Sequence, residues 1–126
     1  MDCPKCSGEL ETRNFKELSV KRCNGCGGLM MRADMLEQMK DLETAEQIFD
    51  TGSPAIGKKY DNVDDIDCPE CQIPMEKIWD PRQTHIWMES CPHCGMMFLD
   101  AGEFTDLKYE TFSDLVKKLL KGARKG

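Results

Sequence analysis

The chain has 126 residues and a formal net charge of −6, with 32% charged and 40% hydrophobic residues. That is too apolar for a disordered chain, and no run nears the roughly 18 apolar residues of a membrane span. Met1-Asp2-Cys3-Pro4 reaches a cysteine before any charged-then-apolar leader pattern develops, so the expected compartment is the cytoplasm, where thiols stay reduced and ligate metal.

In chain order, Cys3 and Cys6 form a first CxxC pair, and Leu18 and Val20 alternate at period two into a second pair, Cys23 and Cys26. Asp34-Met35-Leu36-Glu37 has capping-box spacing. From there a helix is predicted to about Phe49 on the stripe Met35, Leu36, Met39, Leu42, Ala45 and Phe49, with Gly52 as its cap. Residues 50–67, with Thr-Gly-Ser-Pro and a run of aspartates, read as a linker or loosely held arm. Cys68 and Cys71 open a second half, Ile86 and Met88 mark a strand into Cys91 and Cys94, and Asp100-Ala101-Gly102-Glu103 repeats the capping-box spacing. A last amphipathic helix follows Thr111, with Phe112, Leu115, Val116, Leu119 and Leu120 on its stripe.

All eight cysteines thus fall into four CxxC pairs. Two intervening residues let a tight turn aim both sulfurs at one centre, so each knuckle supplies half of a tetrahedral site. The loops of 16 and 19 residues between partner knuckles suit a two-stranded hairpin, and the longer gap from Cys26 to Cys68 favours sequential pairing. Cys3, Cys6, Cys23 and Cys26 are then one metal site, and Cys68, Cys71, Cys91 and Cys94 the other. The two halves repeat: Cys-Pro-Lys-Cys at 3–6 matches Cys-Pro-Glu-Cys at 68–71, and Leu29 to Ala33 aligns with Met97 to Ala101. Gly27 and Gly95 follow the second knuckles, where a positive φ closes the turn. Two Zn2+ are expected, with iron in four thiolates as the rival. A half of about 50 residues buries too little apolar surface to fold without its metal, and each half is expected to fold around its own site.

These residues resemble the bacterial zinc ribbons named after the transcription factor TFIIB, which run CPxC, hairpin, CxxCGG, then a WLD-x-GEL helix start. The second repeat fits through Cys91-Pro92-His93-Cys94-Gly95 and Phe98-Leu99-Asp100-Ala101-Gly102-Glu103-Phe104; the first keeps its cysteines and Gly27-Gly28 and departs afterwards. The resemblance implies zinc ribbons, and with the stripe after Thr111 the expected fold is a small metal-stabilised α+β one: two zinc ribbons, each a hairpin between CxxC knuckles followed by a helix, plus the C-terminal amphipathic helix. The domains are then 1–49, linker 50–67, 68–110, and 111–126 with its basic tail. The family name implies transcription, an analogy of fold that does not carry function.

Charge bears on partners. Eight thiolates and two divalent ions would make the chain more negative by a further four charges, a poor setting for contacts to phosphate. Residues 37–67 carry nine acids and three bases, whereas Lys117, Lys118, Lys121, Arg124 and Lys125 form a basic foot. Cys91-Pro92-His93-Cys94 matches a redox pair, but not in the strand-to-helix setting that such catalysis uses. His85 and His93 replace no missing cysteine, and a closed four-sulfur site leaves no position for water, so no enzyme is expected. Met30, Met31, Met35, Met39, Met96 and Met97 read as filling around the metal sites or as an adaptable docking surface. Trp79 and Trp87 read as a cross-strand pair. The expected role is a protein-interaction adaptor with an unidentified protein partner; the alternative is a transcription-associated nucleic-acid binder, with self-association through the C-terminal helix also open.

Overall fold

The computed structural model describes residues 1–60, 63, 65–80 and 83–108, so the helix expected at 111–126 and its basic foot lie outside the described residues. Among the described residues six strands and four helices follow in order: β1 Leu10–Phe15, β2 Leu18–Cys23, β3 Leu29–Arg32, α1 Ala33–Asp41, α2 Ala45–Ile48, α3 Pro54–Tyr60, β4 Glu76–Asp80, β5 Gln83–Ser90, β6 Met96–Leu99 and α4 Glu103–Lys108. The expected hairpins are β1–β2 and β4–β5, and the second brings Trp79 and Trp87 opposite one another in register.

The hairpins do not stand apart. All six strands join one sheet in the order β1-β2-β3-β6-β5-β4, with β3 antiparallel to β6. The order is palindromic under the repeat, because β1, β2 and β3 correspond to β4, β5 and β6. Met30 pairs with Phe98, and these are equivalent positions 68 residues apart; Leu29 pairs with Leu99 and Met31 with Met97 about that centre. The antiparallel pairing of equivalent strands creates an approximate two-fold axis through Met30 and Phe98.

Side chains alternate across this central pair, as period-two geometry requires. On one face Leu29, Met31, Met97 and Leu99 pack with Val20, Met88, Leu36, Met39, Phe49 and Phe104, under the helices. On the other, Met30, Met96 and Phe98 pack with Cys3, Cys23, Cys26, Cys68 and Cys91. Both metal sites therefore rest on a single shared core. The two halves, each expected to fold around its own site, share this one sheet, in which β3 and β6 bury both faces and cover each other's edge.

The first helix differs from expectation. It starts at Ala33 with Arg32 at the N-cap and no side-chain cap, so Asp34 sits within the first turn and accepts from the Met35 amide, at 2.9 Å. Leu42 is extended (φ −87°, ψ 113°) and breaks the helix, and α2 then returns Ala45 and Phe49 to the core. In the second half the box is partly realised: Glu103 Oε2 accepts the Asp100 amide at 3.2 Å.

Two described parts of the span read as linker or arm, Asp50 and α3, pack on the second repeat. Asp50 accepts from the Gly102 amide at 2.9 Å, the Thr105 amide at 3.0 Å and the Thr105 hydroxyl at 2.7 Å, which satisfies N–H groups at the start of α4. Within α3, Gly57 lies against Ala101 so closely that an added Cβ would come within 2.0 Å of the Ala101 carbonyl oxygen. Asp50 and α3 are thereby fixed across the helix start of the second repeat.

Candidate metal centres

Each of the four knuckles closes in the same way, by a hydrogen bond from the amide of its first cysteine to the carbonyl five residues on: Cys3 to Gly8 (3.0 Å), Cys23 to Gly28 (2.9 Å), Cys68 to Ile73 (2.9 Å) and Cys91 to Met96 (2.7 Å). A turn held at that span cannot straighten, so its two sulfurs stay on one side. In the second knuckle of each half the chain leaves through a left-handed glycine, Gly27 at φ 78° and Gly95 at φ 79°, a conformation costly for other residues.

Cys3, Cys6, Cys23 and Cys26 converge as one group, and Cys68, Cys71, Cys91 and Cys94 as another, with all Sγ atoms of a group within 4.8 Å of one another. Sequential pairing of the knuckles is what the structure contains. The Sγ atoms of Cys3 and Cys26 are 3.8 Å apart, those of Cys68 and Cys94 3.7 Å, and those of Cys6 and Cys23 3.3 Å. A tetrahedron with metal–sulfur bonds of about 2.3 Å has an edge of about 3.8 Å, so both groups have the size of a four-thiolate metal site.

The surroundings favour thiolates. Amides of Lys5, Gly8 and Gly25 point at Cys3, Cys6 and Cys23 (3.5, 3.3 and 3.3 Å), and that of Cys94 at Cys91 (3.5 Å). The Cys3 thiol beside it, then the Gly28 amide, pull Cys26 down to about 5 against the push of burial. Burial also pushes Cys91 up, but the amides of Cys94 and His93 outweigh it and leave this thiol below its ordinary value. The proton is held elsewhere: Cys3 is pushed up by its hydrogen bond to Cys26 and by burial, and Cys94 is raised to about 12, first by burial. Within each cluster one thiol is thus pulled down while a neighbour is pushed up, and a divalent cation would replace this uneven sharing of protons with four ligands.

Lys5 was missed at the sequence level. Its ammonium lies inside the protein, 2.7 Å from Glu89 and 2.7 Å from Asp100, with side-chain exposures of 0%, 1% and 1% for the three. It also donates to the Tyr60 carbonyl at 3.2 Å and lies 5.6 Å from the centre of the Phe98 ring. Burial opposes its charge, yet Glu89 and Asp100 together hold its pKa above the ordinary lysine value. A knuckle of the first ribbon is thereby clamped to the second.

His93 is exposed within its knuckle, and the side chain of His85 lies outside the described residues. Met30, Met31, Met39, Met96 and Met97 are buried and Met35 is half-buried, so these methionines are core filling and not a docking face. Among the described residues no helix is long and apolar enough to cross a membrane.

Residues 2–42 match the family described as Transcription factor zinc-finger, the TFIIB-type zinc ribbon. The match falls on the first repeat, which keeps both glycines after its second knuckle, although the second repeat holds more of the helix-start motif. The cluster at 68–94, built on the same knuckles and hairpin, fits a tandem copy. Neither the curated proteins nor the solved structures offer a significant match.

Proposed function

We propose that this chain is a non-catalytic, zinc-loaded tandem ribbon that serves as a protein-interaction adaptor. The observation that carries the reading is the closure of both sulfur sets: four cysteines at tetrahedral spacing, seated on a common core, leave no coordination position for a substrate or for water. Zinc is the metal that such a set takes for purely structural ends, since it has no redox chemistry and accepts tetrahedral thiolates without preference for another geometry. A small sheet so fixed is a rigid platform, and its role is then to present surface.

Charge supports a protein partner over nucleic acid. The formal balance of −6 becomes more negative once thiolates hold the metals, and phosphate contacts depend on an excess of Lys and Arg. A role near the transcription machinery is the context that the matched family description favours.

Affinity capture with the zinc-loaded chain, from native cell extract with and without nuclease, tests the reading. A protein retained after nuclease treatment, and lost when Cys26→Ser and Cys94→Ser are introduced together, is the expected result. Capture that disappears with nuclease would overturn the adaptor reading in favour of nucleic-acid binding.

A further inference from the structure

The strand pairing at the centre of the molecule is symmetric, but the charges around it are inverted. Three positions surround the pairing in each repeat. The first repeat has Lys5, Lys21 and Arg32; the equivalent residues of the second are Glu70, Glu89 and Asp100. Equivalence is fixed by register: Lys21 pairs with Met30 as Glu89 pairs with Phe98, and Arg32 and Asp100 each directly follow Met31 and Leu99. At these three positions each basic residue of the first half stands where the second half has an acid.

The contacts cross the axis accordingly. Lys5 of the first ribbon meets Glu89 and Asp100 of the second. On the opposite side Glu70 of the second ribbon meets Arg32 of the first at 3.9 Å, and Arg32 also reaches the Cys94 carbonyl at 3.4 Å. The first side is buried because Tyr60 and the end of α3 cover it; the second is open, with exposures of 58% and 36% for Arg32 and Glu70.

Backbone and apolar contacts do not by themselves choose this partnership. Because Met30 and Phe98 lie on the axis, β3 could pair with a second β3, or β6 with a second β6, in the same antiparallel register with Leu, Met or Phe at every central position. Charge separates the cases. Two first ribbons joined in this way would set Lys5 against Lys21 and Arg32, and two second ribbons would set Glu70 against Glu89 and Asp100. Like charges forced together at a partly desolvated surface are a strong discriminator between partners.

We propose that these six residues are a charge key through which each ribbon accepts only the opposite ribbon, its own partner in the chain or the opposite ribbon of a second copy, and rejects its own kind. The interface is self-complementary in backbone and shape and anti-self-complementary in charge.

Two full-length variants test it. The first, Lys5→Glu with Lys21→Glu and Arg32→Glu, has acidic faces on both ribbons; the second, Glu70→Lys with Glu89→Lys and Asp100→Lys, has basic faces on both. Each alone is expected to melt lower by on the order of 10 °C, as expected for an interrupted buried ion pair in a protein of this size. Mixed and refolded with zinc, the two are expected to form a 1:1 heterodimer in native mass spectrometry, because every acidic ribbon then meets a basic one. A chain carrying all six changes is expected to regain monomeric mass and most of the lost melting temperature. Where the three-fold variants are too unstable to isolate, the six-fold chain decides: recovery supports the key, and failure to recover means that Lys5 acts by packing and not by charge. Three-fold variants that melt like the parent chain, or that mix into random 1:2:1 dimers, would overturn the proposal.

Discussion

Met30 and Phe98 face each other across the β3–β6 pairing and hold the same place in their two repeats. Both are fully buried against the face that carries the cysteine clusters, so a single contact on the axis belongs to both ribbons at once. The tandem ribbons are for this reason one body with two metal sites.

That union changes what losing one metal does. Cys94→Ser should lower the bound metal from two ions to one in native mass spectrometry. It should also lower the melting temperature of the whole chain in one transition, because Cys91 and Cys26 share a core with Met30 and Phe98. Two separate transitions, one unshifted, would show that the ribbons fold apart.

Gly57→Ala tests the packing of α3. Helix propensity alone predicts a gain of up to about 1 kcal/mol. The new Cβ, however, would sit 2.0 Å from the Ala101 carbonyl oxygen. Overpacking of this kind costs about 1–3 kcal/mol, so the variant should melt lower, and a higher melting temperature would place α3 away from Ala101.

Asp50→Ala removes the acceptor that serves the amides of Gly102 and Thr105. Loss of such a cap costs about 1–2 kcal/mol. Hydrogen exchange should accelerate at the Gly102 and Thr105 amides, while those of β1 and β2 stay as protected as before. An unchanged exchange pattern at α4 would dismiss the cap.

Metal affinity should fall as the solution is acidified. In the metal-free chain Cys26 titrates near 5, whereas the thiols of Cys3 and Cys94 are raised, the latter to about 12. The sign follows. Cys26 is already a thiolate at neutral pH, and its lowered value favours the folded state above that titration and ceases to as pH falls through about 5. Cys3 and Cys94 must give up protons to the incoming metal, so affinity should drop on the order of tenfold per pH unit for each proton displaced. Chelator competition at pH 6 and pH 7.5 measures this; equal affinity at both would mean that no proton is exchanged.

The knuckles, the hairpins and the repeat were legible because they are local: spacing sets the sulfurs, and period-two alternation sets β2 and β5. The pairing of β3 with β6 was not, since Leu29-Met30-Met31 and Met97-Phe98-Leu99 carry no mark of which edge they seek. Its one sequence signal was the inversion of Lys5 against Glu70 and of Arg32 against Asp100, visible only when the repeats are laid over each other for charge. Asp50 and Gly57 looked like linker composition because their partners, Thr105 and Ala101, lie about 50 residues downstream. The helix break at Leu42 was hidden because Leu36, Met39, Ala45 and Phe49 keep helical spacing across it and bury in one core from two separate helices.

Metal content and folding measured on the same sample test the central claim most directly. Native mass spectrometry of the purified chain should show two zinc ions per molecule, one for each four-cysteine cluster. Titration with a strong chelator should remove them together with the folded circular-dichroism spectrum, since a structural zinc contributes about 10–16 kcal/mol at neutral pH. A chain that gives up its metal and keeps its spectrum, or that carries iron in place of zinc, would contradict the account.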